Sequence, residues 1–185
     1  MNDSNLFEVT HVAKYFGLVD LENLCAETVR DKLTERNVGA YAAQALHWNS
    51  KENVRVCQEY FRSNTSRIIK TKQFLEMPQP VLLALCQCEG ITFSELELFL
   101  ACVSWARKRC QRRRLEATPA NLREALGDVL NEIHFPCIPK EDFEKYVIPL
   151  EILTYEEIGR ISVGWCKKEN RSHYPGQSRT VQVTI

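Results

Sequence analysis

Glycine and proline are scarce, seven of each in 185 residues, and the glycines are scattered singly. A glycine-rich loop for cradling phosphates is therefore excluded, and so is an extended proline-rich region. Neither sign of charge is in excess: Lys plus Arg and Asp plus Glu each number 24. The chain has no global field with which to gather nucleic acid or anionic lipid. Long apolar runs are lacking too, since Val81-Leu82-Leu83-Ala84-Leu85 breaks after a few residues, far short of the roughly 20 needed to cross a bilayer. A basic start followed by an apolar stretch is not found either, so no secretory leader is expected. The eight cysteines are then expected to be thiols in a reducing compartment, and the protein to be cytoplasmic.

What is present is an ordinary globular composition, 44% hydrophobic and 26% charged, enough for one sizeable core or two small ones. The apolar spacing is helical almost throughout. Leu6, Val9, Ala13 and Phe16 form one stripe, which Gly17 ends in a left-handed conformation. Asp20 is expected to cap a second helix with Leu21, Leu24, Cys25, Thr28 and Leu33 inward. Asn37 is read as the cap of an Ala-rich helix, and Ser50 as the cap of a helix burying Val54, Cys57 and Phe61 with Tyr60 at its margin. Phe74-Leu75-Glu76-Met77-Pro78 reads as an extended turn, with Pro80 in the first turn of a short buried helix that runs to Cys88.

Thr92-Phe93-Ser94-Glu95 has the form of a capping box, in which Thr92 serves the Glu95 amide and the Glu95 carboxylate reaches back. The longest helix follows, with Leu96, Phe99, Leu100, Val103 and Ala106 on one face and Leu98, Cys102 and Trp105 widening it. Thr118-Pro119 opens a helix whose stripe is Leu122, Ala125, Leu126, Val129, Leu130 and Ile133, ended by Phe135-Pro136. Pro139 precedes a short helix with Phe143, Tyr146 and Val147, and a Thr154-to-Glu157 capping box precedes Ile158 and Ile161. The tail changes character: Arg171 to Gly176 reads as a turn, and Val181, Val183 and Ile185 alternate like a strand. The expected fold class is all-α, antiparallel helical pairs with a short extended C-terminal tail.

Little of this carries reaction chemistry. Cys86 and Cys88 are spaced wrongly for a zinc knuckle, and His134 with Cys137 would have to complete one from afar. Structural thiols are the simpler reading, and no metal or cofactor is expected. His11, His47, His134 and His173 stand in no local nucleophile signature. Glu95, Glu97, Glu156 and Glu157 sit at helix starts, where negative charge is favoured. The run Arg107-Lys108-Arg109, then Arg112-Arg113-Arg114, is readable as a nuclear-import or phosphate-binding patch. A solvated helix end explains it more simply. Nuclear placement stays open on that account, and nucleic-acid binding is not expected.

Several stretches together resemble the BTB–BACK family. Val9-Thr10-His11-Val12-Ala13-Lys14-Tyr15-Phe16-Gly17-Leu18 with Leu21 and Cys25 is similar to the last two helices of a BTB domain, and Asn37 to the asparagine that opens the post-BTB pair. Phe74 to Pro78, Glu95, Phe99, Ala101, Trp105 and Ile133-His134-Phe135-Pro136 match the BACK part, with His134 where the family commonly has arginine. Tyr174 to Ser178 and the alternation to Ile185 resemble the opening of a PHR-type β sandwich. The resemblance divides the chain into C-terminal BTB helices (1–36), a post-BTB helical pair (37–66), a BACK-type helical bundle (67–168) and a tail (169–185).

It implies a non-catalytic substrate adaptor for a cullin-3-type ubiquitin ligase, with a cullin segment seated on Tyr41, Ala42, Ala45, Trp48 and Phe61. It also implies a protein substrate of unstated identity, and homodimerisation of the full-length protein through BTB residues not in this chain. The alternative is an interaction scaffold for transcriptional or cytoskeletal partners, independent of any ligase.

Overall fold

The computed structural model describes residues 5–88 and 93–169, with side chains through Trp165. The described residues are all-α, with no strand among them. The alternation at Val181–Ile185 and the turn at Arg171–Gly176 lie outside the described residues. The chain divides into two compact units, Met1–Ile91 and Thr92–Ile185.

In the first unit, α1 (Leu6–Tyr15) stops at Gly17, whose φ is 66°. The amides of Gly17 and Leu18 donate back to the carbonyls of Lys14 (3.2 Å) and Ala13 (2.8 Å), the left-handed cap that only glycine adopts without strain. α2 (Val19–Lys32) folds back on α1. It starts at Val19, so Asp20 sits in the first turn and makes no side-chain cap. There its carboxylate is still favoured by the positive end of the helix dipole.

The buried faces of these helices match the expected ones in part: Leu6, Ala13, Cys25 and Leu33 are buried as expected. α1 buries Leu6, Phe7, Thr10 and Ala13, and α2 buries Cys25, Ala26 and Val29, while Phe16 and Leu24 are 68% and 52% exposed. Both helices carry apolar residues on two sides, and periodicity alone does not say which side is covered.

α3 (Val38–His47) and α4 (Lys51–Ile68) form the second pair. Asn37 works backwards here: its Oδ1 accepts from the Thr34 amide (2.7 Å), and its Nδ2 donates to the Lys32 carbonyl (2.8 Å) at the end of α2. The Thr34 hydroxyl in turn accepts from the Asn37 amide, so Thr34 is the capping residue and Asn37 its reciprocal partner.

Ser50 occupies the N-cap of α4 without a side-chain cap bond. α4 buries Asn53, Val56, Cys57, Phe61, Thr65 and Ile68, and kinks at Asn64, which donates to the Tyr60 carbonyl (3.0 Å). A 3-10 turn (Phe74–Glu76) leads to α5 (Gln79–Cys86), with Pro80 in its first turn. Gln58 donates to the Ala84 carbonyl at 2.6 Å and fastens α5 to α4.

In the second unit, α6 (Glu95–Arg112) is capped by Ser94, whose hydroxyl accepts from the Glu97 amide (3.4 Å). Thr92, the expected cap, lies outside the described residues. The buried carboxylate of Glu95 accepts from the His134 amide at 3.1 Å, 39 residues away. α6 buries Leu98, Phe99, Cys102, Val103, Trp105, Ala106 and Cys110, with Leu96 and Leu100 half-buried.

α7 (Pro119–Leu126) begins where Thr118 accepts from the Asn121 amide (3.3 Å). The whole expected stripe from Leu122 to Ile133 is buried, but the α-helix ends at Leu126. Gly127 turns to φ 51°, and 3-10 geometry continues over Gly127–Glu132. Phe135–Cys137 forms a further 3-10 turn, and α8 (Lys140–Asp142) opens into a π-helical turn at Phe143–Val147.

α9 (Tyr155–Glu169) closes this unit. Phe99, Phe135, Phe143 and Trp165 stack edge to face in a column, with successive ring centroids 5.3, 6.0 and 5.0 Å apart. Each such pair adds about 0.5–1.5 kcal/mol beyond the area it buries. The Thr154–Glu157 capping box forms as expected, with the Thr154 amide donating at 2.8 Å and the Glu157 amide at 3.3 Å. Arg123 locks this start to α7, donating to the Ile152 carbonyl (2.7 Å) and to both Glu157 oxygens (2.9 and 2.8 Å).

Two tests of the fold follow from its helix ends. Arg114 holds the left-handed position after α6 with φ 57°, where Asn49 holds the same position after α3 with φ 48°. Arg114→Gly should raise stability by about 0.5–1 kcal/mol in denaturant unfolding, because a left-handed non-glycine residue costs roughly 1–2. Asn49→Gly should gain less, since asparagine tolerates this conformation. Arg114→Ala, which removes the same charge and keeps the strain, should gain nothing; equal gains for Ala and Gly would refute the conformational explanation.

The second test concerns acid. Hydrogen bonding to Arg123, helped by Thr154, holds the Glu157 carboxyl at about 2, below its usual 4.5. A carboxyl depressed in the fold contributes stability above its unfolded value, and that contribution is lost as pH falls from about 4.5 towards about 2. With Arg123 40% and Glu157 23% exposed, screening limits it to about 1–2 kcal/mol. Thermal unfolding between pH about 6 and about 3 should show a shallower acid loss for Glu157→Gln than for the parent. Parallel curves would exclude the pair as an acid-sensitive element.

Candidate partner-binding site

The Ala-rich helix α3 has two sides of different character. Its inner side is small: Gly39, Ala42 and Ala45 are all buried. A Cβ added to Gly39 would stand 2.8 and 2.9 Å from carbons of the Met77 side chain. The backbone of α3 therefore lies hard against its neighbours. Its outer side carries Ala40, Tyr41, Gln44, His47 and Trp48, at the helical spacing of one face.

α1 faces that outer side with Phe7, Glu8 and His11. Phe7 meets Tyr41 edge to face at 5.6 Å, and His11 lies tilted on Trp48 at 5.2 Å. Between the two contacts runs a concavity of about 490 Å³, lined by Phe7, Glu8, Ala40, Tyr41, Gln44, His47 and Trp48. Lys14 ties the far end of α1 to the α3–α4 turn by donating to the Asn49 carbonyl (3.2 Å). Below, Thr10 and Asn53 join α1 to α4: Asn53 donates to the Thr10 hydroxyl (3.4 Å), which itself donates to the Leu6 carbonyl (2.9 Å). Both residues are buried, so the wall formed by α1 is held by a polar contact as well as by packing.

The five residues expected to line a groove are thus separated. Tyr41 and Trp48 border the concavity, whereas Ala42, Ala45 and Phe61 are interior, at most 1% exposed. Those three belong to the packing that positions α3 and offer no surface to a partner. Phe7, Glu8, Ala40, Gln44 and His47 were missed. The available signal was the spacing from Ala40 to Trp48, opposite the buried face of Val38, Gly39, Ala42 and Ala45.

A second apolar area adjoins in sequence. At the α1–α2 turn Val12, Tyr15, Phe16, Leu18 and Val19 are all exposed, Tyr15 by 80%. Aromatic residues left in water in such a group mark contact surfaces more often than chance.

The thiols are a poor setting for catalysis. Six of the seven described cysteines are buried, and burial pushes the Cys57 thiol up to about 12, where no thiolate forms at neutral pH. Among the described residues no three His, Cys, Asp or Glu side chains gather as metal ligands. No described helix is long and apolar enough to cross a membrane.

Known proteins resemble this arrangement in sequence. The BACK family, BTB And C-terminal Kelch, matches residues 39–148. BTB/POZ domain-containing protein 6-A of Danio rerio is 25% identical over 147 residues, which are 80% of this chain and 27% of that protein. BTB/POZ domain-containing protein 3 of Homo sapiens is 23% identical over 151 residues, 82% of this chain and 29% of that protein. The mouse protein of the same name matches at 23%, over 82% of this chain and 28% of its own length. The chain therefore spans less than a third of the length of these relatives. With most of its helices inside the matched family region and its relatives all BTB/POZ domain-containing proteins, the chain belongs to the BTB–BACK family.

Proposed function

We propose that this chain is the helical part of a non-catalytic BTB–BACK adaptor, and that α1 and α3 receive a segment of a cullin-3-type ubiquitin-ligase scaffold. The observation that carries the reading is the aromatic-walled concavity between Phe7–Tyr41 and His11–Trp48. A groove with apolar walls and a few polar groups suits a short segment that anchors by side chains at helical or extended spacing. Glu8, Gln44 and His47 supply the polar groups. The exposed Tyr15 and Phe16 at the α1–α2 turn extend the apolar contact to the body of the same partner.

The mechanism is positioning. A substrate held by another domain of the full-length protein meets the ligase at raised effective concentration, with no new chemistry required of the adaptor. The buried, high-pKa thiol of Cys57 suits that division of labour.

The test uses full-length protein and a cullin N-terminal fragment in a calorimetric titration. Tyr41→Glu and Trp48→Glu should each weaken binding at least about tenfold, or roughly 1.4 kcal/mol. Tyr155→Ala, at a 94% exposed position of the second unit, should leave affinity unchanged. Ala45→Glu and Phe61→Glu are unsuitable, because a charge placed in the interior unfolds the protein before it reports on binding. Unchanged affinity in folded Tyr41 and Trp48 variants would dismiss the concavity as the cullin site. A full-length protein that binds no cullin at all would favour a ligase-independent scaffold.

A further inference from the structure

The end of α6 carries an arrangement that neither the proposed adaptor role nor helix stability explains. Six of the eight residues from 107 to 114 are Lys or Arg, and none is acidic. The negative end of a helix dipole favours cations in its last turn, which accounts for the positions of Arg109 and Arg112. It does not account for how the Arg109 side chain is held. The Arg109 guanidinium lies over the Trp105 ring, 5.3 Å from its centroid, and Trp105 is itself buried.

That stacking places the Arg109 Nε out of water with no hydrogen-bond acceptor among the described residues. An N–H left in that condition is destabilising. Burial and the neighbouring charge of Arg113 both draw its pKa below the ordinary arginine value, so the protein holds this cation in an unfavourable setting. Acidic relief nearby is slight. Glu124 approaches Arg113 at 3.5 Å from a side chain 70% exposed, and Glu116 is the remaining acid between Leu115 and Leu122.

We propose that the C-terminal half of α6 and the turn after it form a binding surface for an acidic peptide segment of a partner protein, with Arg109 as a fixed anchor and Arg113 as a second fork. Arg109 Nη1 and Nη2 have no acceptor among the described residues, and the guanidinium, planar by conjugation, lies over the Trp105 ring. A planar fork pre-set in this way matches a carboxylate bidentately with little further loss of side-chain freedom. Arg113, one helical turn on, is exposed and exchanges a weak surface pair for the ligand. A peptide is favoured over nucleic acid because the chain as a whole is neutral. Polynucleotide binding draws on many phosphate contacts and a wide basic field, and this patch is one local cluster.

The experiment is a fluorescence-anisotropy titration of the full chain with a fluorescein-labelled peptide of about eight glutamates at low salt. Saturable binding is expected, weakened at least about fivefold by Arg109→Gln and by Arg113→Glu. Arg109→Lys keeps the charge but loses the planar fork, and should weaken binding by a similar factor. Arg113→Glu alters an exposed residue and keeps the test open should Arg109→Gln fail to fold. Peptide affinity indifferent to these changes would overturn the proposal. So would full retention by Arg109→Lys, which would reduce the surface to bulk charge, or equal binding of a single-stranded oligonucleotide of the same charge.

Discussion

The concavity between α1 and α3 depends on one steric constraint, the small inner side of α3. With Gly39 pressed on Met77 and Ala42 and Ala45 buried, the helix has almost no side chain between its axis and the elements behind it. Two consequences follow. The aromatic residues of α3 fall on the opposite side, because the inner side has no room for Tyr41 or Trp48. The backbone of α3 also becomes difficult to displace, since interiors packed at near-crystalline density transmit strain and do not yield to it. A wall fixed in that way loses little freedom when a ligand arrives, and ordering cost is a large part of what limits affinity.

Much of the fold was legible in the sequence wherever the signal is local. Gly17 after α1, Thr118-Pro119 before α7, Pro80 in α5 and the Thr154–Glu157 box each act within a few residues of themselves. The stripe from Leu122 to Ile133 was also readable, although Gly127 breaks its α-helix at Leu126 and a 3-10 stretch carries the rest. The three-residue repeat of the tighter helix keeps Leu126, Val129 and Leu130 nearly on one side, so the burial pattern survives a change of helix type.

What could not be read depends on distant partners. Glu95 has the sequence position of a capping carboxylate, and its carboxylate also accepts an amide 39 residues away, which no local signal announces. Phe16 and Leu24 belong to apolar stripes whose members Leu6, Ala13, Cys25 and Leu33 are buried, yet both are exposed. The residues named for a groove divide in the same manner, Tyr41 and Trp48 bordering the concavity and Ala42, Ala45 and Phe61 lying in the interior. Tyr41, Trp48 and Phe61 are all aromatic, and only the close packing of α3 separates lining from core. Hydrophobic pattern identifies residues that prefer to leave water; tertiary contact decides which of them do so.

Two arginines of the second unit show how the same side chain serves opposite ends. Arg123 makes three hydrogen bonds within the fold, to the Ile152 carbonyl and both Glu157 oxygens, and so it joins two helices. Arg109 is oriented as firmly, by a ring and not by an acceptor, and its hydrogen-bonding capacity is unspent. A stacked ring fixes direction without consuming donors, whereas a carboxylate does both at once. Orientation and satisfaction are therefore separable properties of a cation.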